Sequence, residues 1–165
     1  SLEECSVRVR WATRSFDGEV PEFRLREPRA QWASEYSVGI PEMDDQHKVM
    51  LHMIDRLSDL GENDGSVEAI TNVFRQLIVY TRFHFHEEEE WMEAMRYKDT
   101  ENHKFLHRAF EKEIEDLFHS YTENASENGP TALLRVLQHW LVHHILVSDK
   151  AYGDFSAKQN TTRGR

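Results

Sequence analysis

Histidine and carboxylate side chains at four-residue spacing are the first feature of this sequence that could do chemistry. The chain has ten histidines and a single cysteine, Cys5. His84 and Glu88 are four residues apart, and so are His103 and His107. On an α-helix this spacing places both side chains on one face, where each pair could hold a metal centre. Imidazole and carboxylate suit a transition-metal ion, and a lone cysteine excludes an internal disulfide and a thiolate-rich site.

The helical period divides the histidines into inward and outward sets. Five histidines lie on apolar seams: His47, His84, His103, His107 and His144. Glu88 shares the seam of His84. The other five histidines do not lie on the seams. Four of them are expected to face outward: His52, His86, His119 and His143. His139 lies at the boundary between the two faces. The carboxylate run Glu87, Glu89 and Glu90 is expected to be a solvated face.

Six inward polar groups need a shared explanation. A lone histidine on an apolar face is usually a core residue with one hydrogen bond. Burying five imidazoles and a glutamate without partners would cost about 1–3 kcal/mol for each group. A domain stable by about 5–15 kcal/mol could not bear that total. A metal cluster that satisfies all six groups together is therefore the better interpretation.

Four amphipathic segments would position these side chains. The first begins near Pro41 and ends in the region of Gly61, and the second begins after a cap at Ser66. A loop rich in Asn, Ser and Gly separates the third from the fourth, which is expected to stop at Gly153. Helices of this length with short connections predict an all-α fold, an antiparallel up-down-up-down four-helix bundle.

The two ends of the chain differ from the helical region. Residues 1–31 contain prolines, arginines and short alternating stretches, but no sustained helical period. A hairpin, an arm packed on the domain and a severed linker are interpretations that the sequence leaves open. The predicted organisation is an irregular N-terminal extension or linker at 1–31, a bundle at 32–156 and a flexible polar tail at 157–165.

Composition excludes several classes of partner. The net charge is −10 over 165 residues, which repels phosphate backbones and anionic lipid. No apolar run approaches the ~20 residues that a membrane span needs. We therefore expect neither nucleic acid nor a membrane as partner, and the single cysteine favours a cytoplasmic location.

Four motifs, in order, resemble those of the hemerythrin family, and most closely its bacterial branch. The motifs are Trp32, Tyr36-Ser37-Val38-Gly39-Ile40 and Asp44-Asp45-Gln46-His47; Tyr80, His84-Phe85-His86-Glu87-Glu88-Glu89 and Met92; His103-Lys104-Phe105-Leu106-His107; and Trp140-Leu141-Val142-His143-His144 with Asp149. The resemblance runs from about Trp32 to Phe155 and leaves residues 1–31 outside.

The resemblance implies two non-haem iron ions, oxo- or hydroxo-bridged, and a set of ligands. It assigns His103, His107 and His144 to one iron, His47 and His84 to the other, and Glu88 and Asp149 as bridges. His144 is selected over His143 because only His144 has an aspartate at the offset of the motif. Trp140 and Leu141 would wall an oxygen pocket.

Asp149 rests on the resemblance alone. It follows His144 by five residues, and on an ideal α-helix five residues turn about 140° away from the starting face. A local distortion of the last turn would be needed to bring Asp149 inward.

The function implied is reversible dioxygen binding for storage, delivery or sensing, with no enzymatic turnover. A second hypothesis is an oxygen or redox sensor module that signals to an attached or separate signalling or oxygen-using protein; residues 1–31 would then be a linker. A third is an enzyme that uses the same ions, such as a peroxidase, an oxidase or a nitric-oxide-handling protein. The ferritin-like alternative uses Glu-x-x-His motifs, which this sequence lacks.

Overall fold

Four helical rods make up the fold. A computed structural model describes residues 32–63, 65–123 and 130–163 of the chain, so the interpretations of residues 1–31 lie outside the described residues. The elements are α1 (Pro41–Glu62), α2 (Val67–Ala94), α3 (Thr100–Glu123), and a fourth rod in which α4 (Thr131–His144), a π-helical turn (Ile145–Asp149) and α5 (Lys150–Arg163) follow without a break. A short 3-10 turn, Ser34–Tyr36, precedes α1.

The four rods pack side by side in chain order, and the fourth packs against the first. Each rod contacts the next along the chain, and the fourth contacts α1 as well as α3. The predicted all-α, antiparallel four-helix bundle is confirmed. In the described part of the chain, no helix combines the length and the apolar character needed to cross a membrane.

Local signals fix the starts of two helices as predicted. Pro41 occupies the first turn of α1, where a missing backbone N–H costs nothing. Ser66 precedes α2, and its hydroxyl oxygen accepts a hydrogen bond from the backbone N–H of Ala69 at 3.1 Å. That bond satisfies one of the free N–H groups at the start of the helix.

Buried apolar side chains at three- and four-residue spacing form one core around the centre of the bundle. Fully buried members from α1, α2, α3 and the fourth rod include Met50, Ile54, Leu57, Phe74, Leu77, Phe85, Met92, Ile114, Leu137 and Ile145. This apolar surface stabilises the bundle. The same apolar side chains surround the buried histidines and carboxylates of the seams, and polar groups in such surroundings are costly unless they have partners.

The fourth rod is longer than the sequence predicts. The prediction that Gly153 ends it is wrong, because α5 continues through Gly153 to Arg163. Gly153 is buried, and a Cβ atom there would lie 2.2 Å from the carbonyl oxygen of Val38. The glycine is therefore needed for close packing of α5 against the segment before α1. Residues 157–163 are helical, and the flexibility of the tail at 157–165 stays a prediction.

Candidate metal centre

All seven residues that the sequence suggests as metal ligands meet inside the bundle. Each is at most 3% exposed. They form two groups of four that share Glu88, and the ligand atoms of each group lie within 4.8 Å of one another. The three-histidine group is Glu88, His103, His107 and His144; the two-histidine group is His47, His84, Glu88 and Asp149.

In the three-histidine group the Nε2 atoms face one another. His144 Nε2 lies 3.0 Å from His107 Nε2 and 3.1 Å from His103 Nε2. Glu88 Oε2 lies 3.1 Å from His103 Nε2 and 3.0 Å from His107 Nε2. Asp149 Oδ1 is also close, at 3.1 Å from His144 Nε2 and 3.2 Å from His103 Nε2. Three nitrogens and two carboxylate oxygens thus surround one point.

The two-histidine group repeats this arrangement with one imidazole fewer. His47 Nε2 lies 3.2 Å from His84 Nε2. The second oxygen of Asp149, Oδ2, is 3.2 Å from His47 Nε2. The second oxygen of Glu88, Oε1, is 4.0 Å from His84 Nε2. Each carboxylate therefore directs one oxygen to each group, as a carboxylate that bridges two cations would.

Buried carboxylate oxygens that lack a hydrogen bond support the presence of a pair of cations. Glu88 Oε1 and both carboxylate oxygens of Asp149 are buried and accept no well-aligned hydrogen bond. Such groups are costly inside a protein unless a cation or a donor satisfies them. The donors are imidazole nitrogens and carboxylate oxygens, which suit iron. The residues present therefore fit a pair of metal ions.

Burial and the neighbouring carboxylates shift the pKa values of two candidate ligand histidines in opposite directions. Burial lowers the pKa of His84 to about 3, so this imidazole is neutral and has a lone pair to offer. Burial lowers the pKa of His103 too, but the adjacent carboxylates of Asp149 and Glu88 outweigh it and raise that pKa to about 10. A proton on His103 thus balances part of the carboxylate charge, and a metal ion would replace it.

A π-helical turn brings Asp149 into the centre. The backbone N–H of Lys150 bonds to the carbonyl oxygen of Ile145, five residues earlier. The i→i+5 hydrogen bond adds a residue to this turn of the helix, which brings the Asp149 carboxylate back towards His144, 3.1 Å from its Nε2. The local distortion that the sequence required is therefore present. Single π turns inside α-helices are frequent at functional sites.

Comparison with known proteins identifies the family. The family model described as the hemerythrin HHE cation binding domain matches residues 38–155, which include all seven residues. The chain belongs to the hemerythrin family. The predicted family is thereby confirmed, and so is the general prediction of an iron-containing, oxygen-binding four-helix bundle.

Relatives of this chain include bacteriohemerythrins and a myohemerythrin. The chain is 33% identical to the bacteriohemerythrin of Methylococcus capsulatus over 122 residues, 73% of this chain and 91% of that protein. It is 29% identical to the myohemerythrin of Theromyzon tessulatum over 130 residues, 79% of this chain and 95% of that protein. A crystal structure of wild-type hemerythrin has a TM-score of 0.68 at 30% identity and covers 75% of this chain and 95% of that one.

Two side chains outside the ligand set hold the outer nitrogens of ligand histidines. The Nδ1–H of His84 donates to Gln46 Oε1 at 2.8 Å, and the Nδ1–H of His107 donates to Glu89 Oε1 at 2.8 Å. Each bond fixes the tautomer that leaves Nε2 free to bind a metal. No role for Gln46 was predicted from the sequence.

The prediction that Glu89 lies on a solvated face is wrong. Its side chain is 25% exposed and contacts the buried ring of His107. Helical periodicity could not reveal this, because Glu89 is turned by ~100° from Glu88. The neighbouring Glu90 faces outward as predicted and pairs with exposed His86 at 3.4 Å.

The histidines outside the seams are placed largely as predicted. His52, His86 and His119 are exposed, and the boundary residue His139 is exposed as well. His143 is half-buried, and the centroid of its ring lies 6.3 Å from that of His139. His143 belongs to neither the three-histidine group nor the two-histidine group.

Of the two residues predicted to wall an oxygen pocket, Trp140 contacts the three-histidine group and Leu141 lies in the apolar core. The Trp140 ring stacks on His144, with centroids 4.3 Å apart, and on Phe110, with centroids 3.7 Å apart. Leu141 is buried in the core. Their contact with bound oxygen stays a prediction.

The segment before α1 ties α1 to the fourth rod. Ser37 Oγ donates to Asp44 Oδ2 at 2.6 Å, and the backbone N–H of Val38 donates to Asp44 Oδ1 at 2.7 Å. Lys150 Nζ donates to the carbonyl oxygens of Glu35, at 3.1 Å, and of Ser37. The segment before α1 is therefore bonded to α1 through Asp44 and to the fourth rod through Lys150.

Proposed function

We propose that this hemerythrin binds dioxygen reversibly at two non-haem iron ions. His103, His107 and His144 would hold one ion, His47 and His84 would hold the other, and Glu88 and Asp149 would bridge them. The observation that carries the proposal is that each of two buried carboxylates directs one oxygen to each histidine group.

The unequal number of donors suggests where dioxygen binds. The three-histidine group offers three imidazoles and two carboxylate oxygens, whereas the two-histidine group offers two of each. The ion in the two-histidine group would therefore have the more open coordination. Bound ferrous iron would supply the electrons that reversible dioxygen binding needs and that side chains lack.

Aromatic rings cover the three-histidine group and would help to keep water out of this centre. Phe85 stacks on His107 with ring centroids 3.7 Å apart, and Trp140 stacks on His144. A dry site slows side reactions with solvent. Exclusion of water by these rings, with Trp140 and Leu141 as pocket walls, would keep the bound state reversible. Five histidines against two carboxylates also differ from the carboxylate-rich sites of ferritin-like proteins.

Metal analysis with ultraviolet-visible spectroscopy tests the proposal. The protein should contain about two irons per chain and show ligand-to-iron absorption when oxygenated. That absorption should vanish when oxygen is removed and return through repeated cycles. Stoichiometric zinc without iron would contradict a di-iron centre. Steady consumption of peroxide with a reductant would instead favour an enzyme.

A sensing role has one structural observation in its favour. Lys150 adjoins Asp149 and bonds to the carbonyl oxygens of Glu35 and Ser37, close to where residues 1–31 join the bundle. A change at the centre could therefore reach the N-terminal segment. Hydrogen exchange of residues 34–39 in the deoxygenated and oxygenated protein distinguishes the roles. Equal exchange favours storage or delivery, and a change in exchange favours sensing.

A further inference from the structure

The two histidine groups differ in the side chains that hold their outer nitrogens. In the three-histidine group, His107 Nδ1–H donates to a carboxylate, that of Glu89. In the two-histidine group, His84 Nδ1–H donates to the neutral amide of Gln46. His47 Nδ1 is buried and has no hydrogen-bond partner among the described residues. Among the residues that the structure describes, an anionic partner of such an outer nitrogen is therefore found in the three-histidine group and not in the two-histidine group.

A carboxylate and an amide affect an imidazole ligand differently. Both accept the Nδ1–H and orient the ring. Only the carboxylate adds negative charge, which strengthens the hydrogen bond and makes the imidazole a more basic ligand. The Glu89 side chain is three-quarters buried and the His107 ring is almost fully buried, so solvent screens this charge only in part.

We propose that Glu89 and Gln46 make the two ions electronically unequal. By acting through His107, the Glu89 carboxylate favours the ferric over the ferrous state of the ion in the three-histidine group. Gln46 orients His84 without adding charge, which leaves the ion in the two-histidine group easier to reduce. Both are positioning residues, and the inference rests on the proposed di-iron centre.

The variant Glu89→Gln separates charge from geometry. Glutamine keeps an Oε1 acceptor for His107 Nδ1–H and removes only the negative charge. Glu90→Gln is the matched control, because Glu90 is the next residue on the same helix and also pairs with a histidine, but with exposed His86, which is not a ligand. Gln46→Glu is the reciprocal variant and places the missing charge on His84.

The measurement is the midpoint potential of each one-electron ferric-to-ferrous step, with mediator dyes supplying the electron. A tenfold loss of preference for ferric over ferrous iron corresponds to about 59 mV. We expect Glu89→Gln to raise the lower of the two potentials by about that amount and to speed iron release to a chelator about 10- to 100-fold. Glu90→Gln should change neither, and Gln46→Glu should lower the higher potential.

Two controls keep the outcomes distinct. Iron content of the wild-type protein tests the proposed function alone, because a chain without two irons fails that proposal whatever Glu89 does. If wild type and variants hold two irons but Glu89→Gln and Glu90→Gln have the same potentials, the inference is overturned and the proposed function stands. A shift of the potential in Gln46→Glu in the same direction as in Glu89→Gln would also overturn it.

Discussion

α2 and the fourth rod each supply one histidine and one carboxylate to the centre, but their backbones differ. His84 and Glu88 are four residues apart on a regular α-helix, whereas His144 and Asp149 are five apart across a π-helical turn. Both pairs end with their ligand atoms in the same cluster. The first pair needs only the helical period, while the second needs a distortion that adds a residue to one turn.

The strongest test of this comparison is to neutralise the two carboxylates separately. Glu88→Gln and Asp149→Asn keep the shapes of the side chains and remove their bridging charge. Each should reduce iron affinity by more than the about 10- to 100-fold that partners of metal ligands typically contribute. Iron content after dialysis against a chelator measures this. Full retention of iron by Asp149→Asn alone would mean that the π turn does not serve the centre.

Adjacent histidines on the fourth rod give the next largest contrast. His144→Ala should lose one iron and abolish oxygenation, because His144 Nε2 lies within 3.1 Å of three other potential ligand atoms. His143→Ala should keep both irons and change the free energy of unfolding by under about 1 kcal/mol, since it belongs to neither group. Metal analysis and the oxygenated spectrum distinguish them. The reverse result would contradict the register of the whole fourth rod.

The comparison also explains which parts of the centre could be predicted from the sequence. Five histidines and Glu88 lie on seams with a regular period, so their inward direction follows from helix geometry. The inward direction of Asp149 does not follow from helix geometry, because no residue type between Ile145 and Asp149 predicts a π turn. Only resemblance to the family pointed to that aspartate.

Two further residues were misread for a different reason. Glu89 and Gly153 act through contacts between elements, Glu89 with His107 on α3 and Gly153 with Val38 before α1. A glutamate in an acidic run and a glycine near the end of a helix have common local interpretations, as a solvated face and a stop. In this fold the packing between elements decides both cases, and the pattern of residues along one helix does not show which element packs against it.

Gly153→Ala tests the packing beside the π turn. The added Cβ would lie 2.2 Å from the Val38 carbonyl oxygen, which is backbone and cannot rotate away. We expect a loss of about 1–3 kcal/mol, as for overpacked cores. Because Gly153 follows Asp149 by only ~6 Å along the rod, iron should also be released faster. Denaturant unfolding and chelator competition measure the two effects.

Gly61→Ala is the control for that substitution. A Cβ at Gly61 would meet the side chain of Pro130 at 3.0 Å and that of Leu134 at 3.7 Å, not backbone. Alanine also favours the helix over glycine by about 1 kcal/mol. The free energy of unfolding should stay within about 1 kcal/mol of wild type, and iron release should not change. An equal loss from both variants would show that close backbone contact does not explain Gly153.

The smallest expected effect comes from the cap of α2. Ser66→Ala removes the hydroxyl that accepts the Ala69 N–H at 3.1 Å, which should cost about 0.5–2 kcal/mol in the free energy of unfolding. His84 is ~27 Å farther along the helix, and regular α-helix with a buried seam lies between them. Fraying of the first turn should therefore not move the His84 ring, and iron release should match wild type. If Ser66→Ala released iron as fast as Gly153→Ala, distance along a rod would not govern coupling to the centre. The contrast between a regular helix and one with a π turn would then have to be replaced by coupling through the whole bundle.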